Sequence, residues 1–176
     1  MLLVLDSSAL DSSLKVEQLL GKPGKGGVAE VRGPLVAREE GTPLAALRDG
    51  DKLHVVAPGD GATVAGCSPE QLVQRLGALG LARGVRLKQL HLIADDSGTG
   101  GDASFAARFA EVLAAEGYAV PEIKAPRGRV RSAPDGKVLV RPSEAPLDGG
   151  DAEGFRPSDS SLNHYAGAGV QEKHRR

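Results

Sequence analysis

A single cysteine, Cys67, stands in the 176 residues, so neither a disulfide within the chain nor a cysteine-based metal cluster can form. A reducing compartment suits such a chain. Neither sign of charge is in excess: 22 Lys and Arg against 23 Asp and Glu leave a formal net charge of -1, which argues against a global attraction to nucleic acid or to an anionic membrane. Any basic site has to be local. Long apolar runs are missing too. No segment approaches the roughly 20 consecutive apolar residues of a membrane helix, so membrane insertion is not expected. The opening "MLLVLDSSALD" has no basic stretch ahead of its apolar residues and meets Asp6 directly after Leu5. It reads as a first buried strand and not as a cleavable signal peptide. The expected location is the bacterial cytoplasm, or outside it by a route that leaves no cleavable signal. Bacterial origin is suggested by a composition rich in Ala, Gly, Arg and Leu with little Lys, as in GC-rich genomes.

What is present is enough for one domain with a real core, since 40% of the residues are hydrophobic and domains run to about 100 to 200 residues. Four short apolar runs, Leu2 to Leu5, Leu53 to Ala57, Leu90 to Ala94 and Val138 to Val140, lack polar alternation and suit strands covered on both faces. Two helices are expected between them. In "CSPEQLVQRLGALG", Ser68 is the N-cap, Pro69 the first helical residue and Gln71 the partner of a capping box, while Leu72, Leu76 and Leu79 form the apolar face and Gly80 ends it. In "DASFAARFAEVLAAEG", Phe105, Phe109, Val112 and Leu113 follow the helical period up to a terminating Gly117. Strand and helix alternation predicts an α/β fold with a mainly parallel sheet and helices on both faces. Residues 6 to 50 give no clear order. Residues 142 to 176 are rich in Pro, Gly, Ser and Asp, and read as a polar, flexible tail or an extension that drapes over a partner, with a packed extension around Phe155, Leu162 and Tyr165 as the lesser alternative. The compact domain is therefore expected over residues 1 to 141.

Two stretches carry a resemblance. "DKLHVVAPGDGATVAGCSPEQLVQRL" and "KQLHLIADDSGTGGDASFAARFAEVLAAEGYAV" are similar to consecutive units of the inositol-phosphate-activated cysteine peptidase domains of bacterial toxins. In that family one strand ends in a histidine and the next in the nucleophilic cysteine, each followed by a loop and a helix. The resemblance covers roughly residues 50 to 141. It implies a caspase-like fold, a mainly parallel central sheet flanked by helices with a C-terminal β-hairpin. It also places the dyad positions: the family's histidine falls on Pro58 and its cysteine on Asp95. Proline offers no titratable group, and peptide cleavage by this dyad needs a thiolate activated by a base. The resemblance thus implies a peptidase-like domain without a catalytic dyad, acting through a protein partner in a toxin, effector or secretion context.

Other chemistries stay open at this level. Cys67, just ahead of the Ser68 cap, could serve a hydrolase with His54 or His91 as its base, or could simply be structural. Asp95 and Asp96, with Asp60 or Asp102, could hold a divalent metal or serve a hydrolytic site, or could only cap and solvate a turn. "SGTGGDAS" lacks the lysine and the spacing of a nucleotide-binding loop, so neither a nucleotide nor any other obligatory cofactor is expected. In "KAPRGRVRSAPDGKVLVRP", Arg127, Arg129 and Arg131 alternate on an expected strand, with Lys137 and Arg141 on the strand that returns after Asp-Gly. Five cations on one hairpin face form a candidate polyanion site. The family's use of basic residues around a terminal hairpin implies inositol hexakisphosphate as the ligand. A third reading is a structural or assembly protein that docks through its tail.

Overall fold

A computed structural model describes residues 1–10, 16–19, 36–119, 122–134, 137–142, 156–157 and 162–166. Its main sheet contains β1 (Leu2–Val4), β2 (Val36–Arg38), β3 (Lys52–Val56), β4 (Gln89–Ile93) and β5 (Glu122–Pro126). These five run parallel in the order β2-β1-β3-β4-β5. The fold is α/β. The expected neighbours pair in register, with Leu53 opposite Leu90 and Val56 opposite Ile93. Between them runs α2 (Pro69–Ala78), with α1 (Val16–Leu19) earlier in the chain and α3 (Phe105–Ala115) between β4 and β5.

Local chemistry explains the helix boundaries. Ser68 accepts a hydrogen bond from the Gln71 amide while the Gln71 side chain accepts one from the Ser68 amide, so two otherwise orphaned donors at the start of α2 are satisfied. Ser104, fully buried, caps α3 through the Ala107 amide.

Two cores flank the sheet. On one face Leu3, Leu53, Val55, Leu90, Leu92 and Ile123 meet Leu72 and Leu76 of α2 and Phe105, Phe109 and Leu113 of α3. Each fully buried Leu or Phe contributes about 1.5–3 kcal/mol of burial. On the other face Leu2, Val4, Val56 and Ile93 are covered by Val130 and Val140 and by Val16 and Leu19 of α1. The two valines belong to a second sheet of β6 (Gly128–Ser132), β7 (Val138–Pro142) and β8 (Arg156–Pro157), paired antiparallel. Among the described residues the helices on the two faces are therefore unequal, two long ones against a short one, and the hairpin sheet shares the covering of the second face with α1. Of the expected polar tail, residues 156–157 form β8, and residues 162–166 form β9 (Leu162–Ala166), which pairs antiparallel with β5. The other residues of that stretch beyond Pro142 lie outside the described ones. Among the described residues no helix is long and apolar enough to cross a membrane.

The second face also carries His54, half-buried, beside the buried His91, with ring centroids 5.6 Å apart. Burial, and then the positive charges of the Met1 amino group, Lys52 and Lys124, push the His54 pKa down to about 4. The unfolded chain therefore takes up a proton near pH 6.5, where the folded one does not. Stability is full above about pH 6.5, falls as pH drops towards about 4 and levels off below it, by at most about 3 kcal/mol from this group. Urea unfolding of the wild type and of His54→Gln between pH 7.5 and 4.5 measures this directly. The variant should show the shallower decline, and parallel curves would remove His54 as the cause.

Candidate functional site

Ligands of open α/β sheets bind outside the carboxyl ends of the strands, where the chain order reverses. Here the chain goes from β1 to β2 on one side and from β3 through β4 to β5 on the other, so the reversal falls between β1 and β3. A cavity of about 100 Å³ lies at this end, lined by Leu10, Ala57, Pro58, Gly59, Asp95 and Val130 among others. Pro58 and Asp95, the two positions onto which the resemblance lays a dyad, are both in its wall. Its volume admits a few waters, against the roughly 300–1,000 Å³ of an ordinary small-molecule site.

The tips of β3 and β4 touch through backbone. A Cβ on Gly59 would stand 2.7 Å from the Asp95 carbonyl oxygen, so a side chain at 59 would force the tips apart. Gly98 serves the same purpose beside β5, where a Cβ would lie 2.6 Å from the Ala125 carbonyl oxygen. Over this junction sits the hairpin. The Val130 amide donates to Asp95 Oδ1 at 2.7 Å, the Asp96 amide to the Gly128 carbonyl at 2.8 Å, and the Gly98 amide to the Pro126 carbonyl at 2.8 Å. Asp95 is thus the acceptor that anchors β6 to the main sheet. Asp96, with φ of 56°, closes its own turn by accepting from the Thr99 hydroxyl at 2.9 Å.

The remaining candidates separate in space. Asp60 Oδ1 accepts from the Ala62 and Thr63 amides, and these bonds hold its carboxyl below the usual range. Among the described residues no group of three or more His, Cys, Asp or Glu is placed to hold a metal ion. Cys67 packs against the helix-side core, its thiol donating to the Ala65 carbonyl and its sulfur 3.7 Å from Arg75 Nη1. His54 and His91 follow the opposite parity on β3 and β4 and lie on the other face, so the sheet stands between them and Cys67.

In the hairpin, Arg129 is directly opposite Arg141, and Arg131 opposite Leu139. Strand parity therefore puts Arg129, Arg131, Lys137 and Arg141 on one face, with Val130 and Val140 buried on the other. Arg127 departs from the sequence expectation. It precedes β6 in the short connection from β5, and is exposed there. The Asp-Gly turn at 135–136 lies outside the described residues.

One residue at this end has no motif to announce it. Arg75 of α2 bonds to Asp6 at 3.1 Å, to Glu39 and to the Ala65 carbonyl at 3.4 Å, joining the segments that leave β1 and β2 to the loop after β3. The signal was an arginine between Leu72 and Leu76 on an amphipathic helix, together with an aspartate directly after the first strand.

Asp95→Ala should cost about 2 kcal/mol, because the Val130 amide loses a charged acceptor in a half-buried place. Asp95→Asn should cost less, since its amide oxygen still accepts. Chemical unfolding combined with hydrogen exchange at Val130 tests this, and unchanged protection of that amide in Asp95→Ala would contradict the anchoring role.

No family model matches this sequence, and comparison with curated proteins returns no match.

Proposed function

We propose that this chain is a catalytically silent, caspase-like α/β module that works through a protein partner, in a bacterial toxin, effector or secretion setting. The observation that carries the reading is the use made of position 95. Its carboxylate is engaged by the Val130 amide at 2.7 Å, across a small cavity from Pro58. A side chain that anchors a sheet is not poised as a nucleophile, and proline cannot accept a proton from one. The placement of these two positions on adjacent strand tips, and the hairpin beyond β5, agree with the resemblance of the sequence to the toxin peptidase domains. The hydrolase alternative through Cys67 finds arginine and a carbonyl beside the thiol instead of a base. An alternative through Asp95 and Asp96 finds both carboxylates accepting structural hydrogen bonds.

The ligand proposed for this module is a polyphosphate such as inositol hexakisphosphate, on the cationic face of the hairpin. Arg129 and Arg141 stand directly opposite one another, an arrangement that disfavours pairing between strands and that a multivalent anion reverses through charge-assisted, bidentate hydrogen bonds. The strand-tip aspartates carry the wrong sign for the same ligand.

Two measurements test this. The purified chain, with or without inositol hexakisphosphate, should cleave neither itself nor general peptide substrates; processing abolished by Cys67→Ala would overturn the silent reading. In thermal-shift titrations inositol hexakisphosphate should raise the wild-type Tm by several degrees, less so as salt is added. The combined Arg129→Ala, Arg131→Ala and Arg141→Ala variant should show no rise. A wild type that does not respond at moderate salt would remove the ligand from the proposal.

A further inference from the structure

The C-termini of α2 and α3 are built alike. In α2 the Leu81 amide donates to the Leu76 carbonyl and the Gly80 amide to the Gly77 carbonyl, both at 3.0 Å. In α3 the Tyr118 amide donates to the Leu113 carbonyl at 3.0 Å and the Gly117 amide to the Ala114 carbonyl at 3.1 Å. Gly80 and Gly117 take the positive φ, 100° and 80°, that this pair of bonds requires. Between the two caps lies a cleft of about 460 Å³, walled by Val73, Leu81, Ala82, Arg83, Glu116 and Tyr118 among others. That volume falls within the roughly 300–1,000 Å³ of an ordinary small-molecule site. α2 leads into β4 and α3 into β5, so the cleft is at the amino ends of these strands. Pro58 and Asp95 follow the carboxyl ends of β3 and β4, at the other end of the sheet.

The walls combine apolar surface with one charge of each sign. Val73 and Leu81 are buried, whereas Arg83 and Glu116 are exposed. Arg83 Nε donates to the Glu116 carbonyl at 2.6 Å, Nη2 lies 3.4 Å from Glu116 Oε2, and the guanidinium carbon stands 5.2 Å from the centre of the Tyr118 ring. These contacts orient the guanidinium and engage two of its five donors. The exposed ion pair is long and weak, so it yields readily to a competing one. Both helices turn the negative ends of their dipoles to this place, which favours a cation beside Glu116. Gly77 makes room for Tyr118. A glycine within a helix is less stable than alanine there, but a Cβ at 77 would stand 2.7 Å from the Tyr118 hydroxyl oxygen and drive it away.

We infer that this cleft binds a free α-amino acid with a large apolar side chain. Such a ligand carries an ammonium and a carboxylate on one carbon. The protein offers a carboxylate and a guanidinium 3.4 Å apart, so each charge of the ligand meets its opposite. A simple acid would set a second anion beside Glu116, and a simple amine a second cation beside Arg83. The apolar side chain lies against Val73 and Leu81, removing it from water. The polyphosphate proposed for the hairpin is disfavoured here by Glu116 and by the two helix C-termini, so the two sites are separate.

Titration of the isotope-labelled full chain with L-phenylalanine, followed by NMR, tests the site, with N-acetyl-L-phenylalanine, L-phenylalaninamide and glycine as comparisons. L-phenylalanine should shift the amides of Gly77, Arg83 and Gly117 saturably, with a Kd of roughly 0.1–1 mM. The amides of residues 128–132 should stay in place. Each blocked derivative should bind about tenfold more weakly, having lost one charged contact. Glycine, with no side chain to bury, should give no saturable shift. Glu116→Gln should close the gap between the free and the N-acetylated compound, and Arg83→Gln the gap between the free compound and the amide. Gly77→Ala should keep the fold and lose binding, because the displaced Tyr118 hydroxyl narrows the cleft. The inference is overturned by the absence of a saturable shift with L-phenylalanine, by a blocked derivative that binds as tightly, or by unchanged binding to a folded Gly77→Ala. Should that variant unfold by circular dichroism, the ligand series on the wild type decides alone.

Discussion

The hydrogen bond from the Val130 amide to Asp95 is the constraint on which the second half of the molecule depends. The first strand of the hairpin has a backbone donor turned toward the tip of β4, and a half-buried amide there needs a strong acceptor. Asp95 supplies it, and the bonds from the Asp96 and Gly98 amides to the Gly128 and Pro126 carbonyls continue the seam. Once the seam is closed, Val130 and Val140 lie over Leu2, Val4, Val56 and Ile93. Four central residues that would face water are then part of a core. One side chain, with two backbone bonds beside it, thus fastens the hairpin's share of the cover on the second face.

The opposite corner of the same edge is held by Arg75. A guanidinium presents five donors in a rigid fork, and here it reaches Asp6, Glu39 and the Ala65 carbonyl. Two of the residues it grips have positive φ, 49° at Asp6 and 52° at Ala65. Aspartate tolerates that region, but alanine there costs about 1–2 kcal/mol. Ala65 is kept in it by the tight turn from Val64 to Cys67, whose two ends exchange backbone hydrogen bonds at 3.1 and 2.9 Å. Cys67 ends that turn, which accounts for its place beside Arg75.

The parts legible in the sequence were those where burial leaves a periodic trace. Leu53 to Ala57 and Leu90 to Ala94 are apolar apart from one histidine each because both faces of β3 and β4 are covered, and α2 and α3 carry apolar stripes with serine caps. β5 left a weaker trace. "EIKAP" alternates and contains a proline because Glu122 and Lys124 lie beyond the cover on the second face. β2 is three residues long at an edge, too short for any period. Among the hairpin cations, Arg129, Arg131 and Arg141 share a face as their alternation suggested, while Arg127 falls in the connection before β6. Arg75 and the anchoring use of Asp95 could not be read from the sequence, since an arginine on a polar helix face and an aspartate in a glycine-rich turn have innocent explanations until long-range contacts are known. β9 escaped for a related reason: "LNHYA" has little apolar content, and its pairing depends on backbone groups that every sequence possesses.

The anchoring carboxylate has an evolutionary corollary. A cysteine introduced at position 95 would remove the acceptor for the Val130 amide and loosen the hairpin, while a bulkier residue at 59 would collide with the 95 carbonyl. A thiol at position 95 would therefore require, in the same step, a new fastening for the second sheet. Single substitutions in that direction pass through less stable forms, because the residue that would carry the new chemistry is the one that holds β6 in place.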